Sequence, residues 1–254
     1  MYSAVIANMR STTSNTGAPR MTIDPRRHSP AIARNRDPLR AVLQPHLPTR
    51  GLVLEIASGS GEHVVHIAAA SSPDLVFQPT DPSPAAIASI DAWTAAHGLA
   101  NVRPALALDA SSPQWPVAHA DAVLCINMIH IAPWSAAEGL MRGAARVLPD
   151  NGLLYVYGPY RRDGRHTSPS NERFDEELRE QNEAWGVRDL EAVVALATRN
   201  GFTHPIIEQM PANNLSLIFR RVVNVWHVFN VFQERSAEER PRTDWLTPVA
   251  VATG

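Results

Sequence analysis

Three acids and one glycine-bearing run carry most of the chemistry legible in this sequence: Glu55, Asp81, Asp109 and the string Ala57-Ser58-Gly59-Ser60-Gly61. Glycines in such a turn let the backbone approach a ligand closely, because no side chain stands in the way. Asp81 comes twenty residues after Gly61. At the end of a second strand, an acid can accept both hydroxyls of a ribose. Asp109 closes a third strand, where it could accept from an adenine amine while apolar neighbours cover the ring. Each acid alone reads equally well as a helix cap or a solvated turn. Together with the glycine run they point to a nucleoside ligand.

The charge pattern narrows that ligand. In the dinucleotide fingerprint a third glycine would fall at position 64, and Val64 stands there, so tight packing around a pyrophosphate is not specified. S-adenosylmethionine carries an ammonium, a carboxylate and a sulfonium but no phosphate, which suits an acid at Glu55 beside free backbone amides. The expected donor-binding set is Glu55, Ala57, Ser58, Gly59, Gly61, Asp81, Pro82, Asp109 and Ala110, joined after a fourth strand by Asn127 and Met128.

These residues need a sheet to position them. From Gly51, short apolar runs alternate with amphipathic segments, the pattern of repeated βα units and a mostly parallel sheet. Strands are expected over residues 52–56, 75–78, 102–108, 122–127 and 153–157, with helices over 61–70, 84–97 and 136–147. A helix over 29–47, interrupted near Pro38, precedes the sheet. A long loop to Asn171 follows the fifth strand, then helices over 172–181 and 188–200, with Gly201 as a C-terminal cap. Residues 206–210 and 215–220 read as a hairpin around Pro211-Ala212-Asn213-Asn214, the antiparallel end of a seven-stranded sheet. The fold class is α/β, Rossmann-like, with helices on both faces. The expected organisation is a disordered leader over 1–28, one domain over 29–221 and an extension over 222–254. In that extension, residues 222–232 are apolar and aromatic and residues 233–242 charged.

The bulk composition bounds the function. The 254 residues with 44% hydrophobic and 19% charged side chains describe an ordinary globular chain. A net charge of -2 argues against nucleic acid as main partner. No apolar run is long enough to span a membrane. Residues 1–23 contain no acid, a composition shared with organelle transit peptides, and Met21 could be the true start. The single Cys125 allows neither an internal disulfide nor a cysteine-based zinc cluster, and a reducing cytoplasm fits. His63 and His66 are three apart on one helix without a second ligand pair, so no metal is expected.

Several strings resemble the methyltransferase-like protein 26 family over residues 29–221. They are Ala33-Arg34-Asn35-Arg36-Asp37-Pro38, Glu55-Ile56-Ala57-Ser58-Gly59-Ser60-Gly61-Glu62-His63, Cys125-Ile126-Asn127-Met128-Ile129-His130-Ile131, Tyr157-Gly158-Pro159-Tyr160 and Met210-Pro211-Ala212-Asn213-Asn214. The resemblance implies a class I methyltransferase fold and a methyl donor, without naming an acceptor. By their place in these strings Arg34, Asn35 and His63 join the donor-binding set, with Arg34 and Asn35 closing over the donor carboxylate.

The residues after the fourth strand face the transferred methyl in this architecture. The candidates for catalysis are Asn127, His130 and Tyr157, with His130 as a general base. Asn127-Met128-Ile129-His130 lacks the prolines and aromatic of amino-group methyltransferases, so DNA adenine and protein glutamine are not inferred and a small-molecule acceptor is. Tyr160 and Arg161 are candidate acceptor contacts, since Arg161, Arg162 and Arg165 could clamp an anion, and Trp134 is a candidate pocket wall. The leading expectation is methyl transfer that releases S-adenosylhomocysteine. The alternatives are a binding or scaffold module and, further off, a nicotinamide-dependent oxidoreductase. Homo-oligomerisation through the extension remains open.

Overall fold

The computed structural model describes residues 24–223, so most of the expected leader and the apolar run of the extension lie outside the described residues. Helix α1 (Pro30–Leu43) precedes β1 (Gly51–Ile56), α2 (Glu62–Ala69), β2 (Leu75–Asp81), α3 (Pro84–His97) and β3 (Leu106–Ala107). Next come β4 (Ala122–Ile126), α4 (Trp134–Val147), β5 (Leu153–Arg162), β6 (Arg165–His166) and α5 (Pro169–Gln181). The described chain ends with β7 (Arg188–Asp189), α6 (Leu190–Arg199), β8 (Ile206–Met210) and β9 (Asn214–Arg220).

The sheet runs β3-β2-β1-β4-β5-β9-β8, with the short β6 and β7 attached to the far end of β5. β1 to β5 are parallel, whereas β9 pairs antiparallel with both β5 and β8. The change of order lies at β1, between β2 and β4. In open α/β sheets the carboxyl ends at such a reversal form the ligand crevice.

Both faces are covered, which explains why the central strands read as continuous apolar runs instead of alternating ones. Leu54, Val123, Cys125, Leu154 and Val156 point toward α4 and α6. Val53, Leu124, Ile126, Tyr155 and Tyr157 point the other way, into the layer formed by α1, α2 and α3. The Tyr155 hydroxyl and Ser216 Oγ, both buried, satisfy one another at 2.6 Å across β5 and β9.

Several boundaries differ from the sequence expectation. α1 runs through Pro38 instead of breaking there, because Leu39 and Leu43, both fully buried, anchor its second half. β3 shrinks to two residues: Pro104 cannot donate to a ladder, the Gln78 amide takes its carbonyl, and Asp91 Oδ1 takes the Ala105 N–H. In place of a loop after residue 157, β5 continues to Arg162 and returns through Asp163-Gly164, whose φ values of 49° and 72° make a two-residue hairpin turn. Arg188 and Asp189 pair with β5 before α6 starts. Gly201 caps α6 as expected, at φ 80° and with the Phe202 N–H returning to the Ala197 carbonyl. No helix among the described residues is long and apolar enough to cross a membrane.

Gly61 fixes the distance between the turn after β1 and α3. Its φ is +93°, and a Cβ there would stand 2.7 Å from the Ile90 Cα. Gly61→Ala therefore combines left-handed strain with a backbone collision and should destabilise the fold by at least about 2 kcal/mol. Urea unfolding of the two proteins checks this; equal midpoints would contradict it.

Candidate functional site

The turn after β1 is built from three left-handed residues at alternate positions. Ala57 sits at φ 56°, Gly59 at 61° and Gly61 at 93°. A non-glycine residue there costs about 1 kcal/mol, so Ala57 is a strained position beside the crevice. Neighbouring elements hold the turn in place. Gly59 donates its N–H to Asp81 Oδ2 at 3.0 Å, Ser58 donates to the Thr80 carbonyl at 2.8 Å, and Ser89 Oγ on α3 donates to the Ser60 carbonyl at 2.7 Å. Glu62 accepts from Ser60 Oγ at 3.0 Å and from the Ser29 N–H at 2.8 Å, tying the start of α1 to the same turn. A Cβ at Gly59 would meet nothing within 4 Å, so the outer side of the turn is open.

Two buried carboxylates stand at the ends of adjacent strands. Asp81 closes β2 and is 7% exposed; its Oδ1 accepts from the Ser83 N–H at 2.9 Å while Oδ2 holds Gly59. Glu55, on β1, is 2% exposed, and its Oε2 has no hydrogen-bond partner among the described residues. Burial pushes the Glu55 carboxyl up to about 7; a hydrogen bond with Ser58 opposes this and the Asp81 charge adds to it.

A cleft of about 330 Å³ opens past Ala57 and Pro82, two residues beyond Glu55 and one beyond Asp81, neither of which lines it. It is lined by Ala57 and Pro82 on one side and by Asp109, Ala110 and Met128 on the others, five residues of the expected donor-binding set. Asp109 is exposed and two residues past β3, and its Oδ1 is occupied by the Ser111 N–H and hydroxyl at 2.8 and 2.7 Å.

The strings on α1, α2 and β5 meet in one polar cluster. Asn35 Oδ1 lies 3.0 Å from His63 Nε2, and the Asn35 amide donates to the Tyr157 hydroxyl at 3.4 Å. Burial lowers His63 to about 4 and raises Tyr157, the latter opposed by hydrogen bonds from Asn35 and Asn214. Arg34 stays exposed on α1.

The segment after β4 is held from above. Asn127 turns at φ 63°, and a short 3-10 helix, Met128–His130, follows. His130 is fully buried; burial, helped by the Arg188 charge, lowers it to about 3. Its Nδ1 accepts from the Arg188 N–H at 3.3 Å, so in the neutral ring the proton sits on Nε2, which has no partner among the described residues. His130 thus presents an N–H, beside Gly158 and edge-on to the buried Tyr160 ring. The Arg188 guanidinium donates to the carbonyls of Ile129, Ala132 and Ala184 at 2.7 to 2.9 Å, fastening the segment between α5 and β7 over this helix. That segment places Trp185 in the cleft wall, which sequence reasoning missed. The available signal was an aromatic residue beside Gly186 between two helical patterns.

The candidate acceptor contacts are not gathered together. Arg161 is paired with Asp189 at 2.8 Å. Arg162 and Arg165 face each other, exposed, across β5 and β6. Trp134 starts α4 under the Arg188 guanidinium, 5.7 Å away, and is not among the cleft-lining residues.

The Glu55 shift sets a pH dependence. The folded chain keeps Glu55 protonated to near pH 7, whereas the unfolded chain releases that proton near 4.5. Its contribution is therefore full below 4.5 and is lost as pH rises through 7, by on the order of 3 kcal/mol. Glu55→Gln should remove this slope, measured as unfolding free energy between pH 4.5 and 7.5; parallel curves for the two proteins would contradict it.

Comparison with known proteins places this geometry. The family model described as a protein of unknown function, DUF938, matches residues 26–221. Among solved structures, the S-adenosylmethionine-dependent methyltransferase SibL in its apo form is similar at TM-score 0.63 and 21% identity, over 76% of this chain and 56% of that one. CalO1, a methyltransferase in calicheamicin biosynthesis with SAH bound, is similar at 0.60 and 15%, over 76% and 54%. The [4+2]-cyclase SpnF is similar at 0.59 and 15%, over 74% and 81%. The chain spans little more than half the length of the first two. On this evidence the chain has the class I methyltransferase fold and belongs to the DUF938 family.

Proposed function

We propose that this protein is an S-adenosylmethionine-dependent methyltransferase acting on a small-molecule acceptor. The observation that carries the reading is the buried Glu55 carboxyl oxygen, without a partner among the described residues, beside Asp81 at the reversal point of the sheet and next to an open glycine turn. A cationic, nucleoside-bearing ligand fits that donor set. Glu55 offers a carboxylate to an ammonium. Each Asp81 oxygen keeps a lone pair for a ribose hydroxyl after accepting one backbone N–H. Asp109, Ala110, Pro82 and Met128 supply the polar edge and apolar walls for an adenine.

When bound, S-adenosylmethionine supplies an electrophilic methyl group and leaves as S-adenosylhomocysteine. The chain's part is to orient and to exclude water. Asn127 and the neutral N–H of His130 flank Gly158 on the adjoining strand, and Tyr157, held by Asn35, precedes Gly158 midway along β5. Proximity supplies much of the rate in such a site. A pKa near 3 makes His130 a weak proton acceptor at neutral pH and a ready hydrogen-bond donor, so it serves this reading best as an orienting group. The finer likeness to the methyltransferase-like protein 26 group and a cytoplasmic setting belong to the same proposal. SpnF shows that this fold also hosts other chemistry, so the activity needs its own test.

Three outcomes are expected. In calorimetry the chain binds S-adenosylmethionine and S-adenosylhomocysteine, and Asp81→Ala weakens both at least about tenfold; binding of NADH alone would overturn the donor reading. At pH 6.5, pairing of the ligand ammonium with Glu55 expels its proton, so the binding enthalpy varies with the ionisation enthalpy of the buffer. Glu55→Gln should abolish that variation. Labelled methyl donor incubated with cell-extract metabolites should yield a labelled small molecule; tight donor binding with persistent absence of transfer would favour a binding module.

A further inference from the structure

Between α5 and β7 the chain forms a strap, residues 182–187, that is fixed along its whole length. At its start Asn182 Oδ1 accepts from the Ala184 N–H and the Asn182 carbonyl accepts from the Trp185 N–H, both at 2.9 Å. In its middle the Gly186 N–H donates to the His130 carbonyl at 2.9 Å. At its end the Val187 N–H donates to Oδ1 of the buried Asp175 on α5 at 2.6 Å, while Arg179 donates to Oδ2 of the same carboxylate at 2.9 Å. Gly186 stands at φ +148°, and a Cβ there would lie 2.6 Å from Asp175 Oδ1, so no side chain fits between the strap and that carboxylate. The Arg188 guanidinium then joins the Ala184 carbonyl of the strap to the Ala132 carbonyl at the cleft wall.

Trp185 is the side chain that this clamp displays. Trp93, Trp115 and Trp134 each pack with one of the two core layers, and Trp185 packs with neither. It is half-buried and lines the 330 Å³ cleft together with Pro82, Asp109, Ala110, Met128 and Ile131. Asp109 is the one charged residue among the described residues that line this cleft, so an anionic ring finds no cation there. An apolar slot with one carboxylate on its rim and an aromatic side chain in its wall suits a flat, neutral base that carries an amine. Because the strap is held before any ligand arrives, little ordering is left to oppose stacking on the indole.

We propose that Trp185 stacks on the adenine of the methyl donor and that the strap after α5 is part of the donor site. The proposal rests on the methyl-donor reading of the cleft and adds to it the residue that grips the base. Asp175, Gly186 and Arg188 act through Trp185 as positioning residues.

Calorimetry and tryptophan fluorescence of the full chain with S-adenosylhomocysteine test this. Trp185→Ala should weaken binding at least about tenfold, the loss expected for one base–aromatic stack. Trp185→Phe keeps a ring and should stay within about threefold of the parent. The ligand should quench part of the parent's fluorescence, and that part should be missing from Trp185→Phe although calorimetry still shows binding. The phenylalanine variant carries the test even where the alanine variant unfolds. Equal affinity in the parent and Trp185→Ala, a phenylalanine variant as weak as the alanine one, or an undiminished quench in Trp185→Phe would overturn the proposal and leave the donor reading standing. A parent chain that binds no S-adenosylhomocysteine would overturn both.

Discussion

The site depends on how the turn after β1 is clamped. Gly61 brings that turn against the α3 backbone at Ile90, and Asp81 reaches across from β2 to hold the Gly59 N–H. Ser89 of α3 takes the Ser60 carbonyl, and Glu62 takes both Ser60 and the start of α1. With every neighbour pulling on it, the backbone keeps left-handed angles at Ala57, Gly59 and Gly61 that a free loop would not. The side of that turn beyond Gly59 is open, and the buried Glu55 carboxyl is left with an oxygen that no described group satisfies. In a native fold a buried orphan of this kind calls for an explanation, and a bound cation supplies one.

Holding a carboxyl in that place costs stability whenever it is charged. The chain carries Glu55 protonated in its folded state over the lower part of the physiological range, since burial outweighs its hydrogen bond with Ser58. A ligand with an ammonium at that point would recover the lost interaction by drawing the proton off. Stability and affinity are thereby linked through one side chain.

Much of this was legible from residue types and spacing. The glycine run marks the turn after β1 at the reversal of the sheet, Asp109 is among the residues that line the cleft, and the alternation of apolar runs with amphipathic segments yields the parallel sheet and its antiparallel end. What escaped was set by contacts distant in sequence. Arg161 reads as a free cation until Asp189, 28 residues on, is seen to hold it. Arg188 reads as the start of a helix, yet its guanidinium fastens a loop over Met128–His130 and so brings Trp185 to the cleft. His130 reads as a base by its ordinary pKa, and the burial and the Arg188 contact that lower it are set by a segment more than fifty residues away in sequence. The Asp163-Gly164 turn was visible in principle, since that dipeptide favours a tight hairpin. The arginines around it, which read as an anion clamp on a long loop, mask that signal.

The proposed cradle of the methyl donor consists of Glu55, Asp81 and the turn between them. The most direct measurement is a crystal structure grown with S-adenosylhomocysteine. The expected result places the ligand's amino group at Glu55, its ribose at Asp81 and its adenine in the cleft between Pro82, Ala110 and Met128. A ligand bound elsewhere on the molecule, with Glu55 still unpartnered, would contradict it.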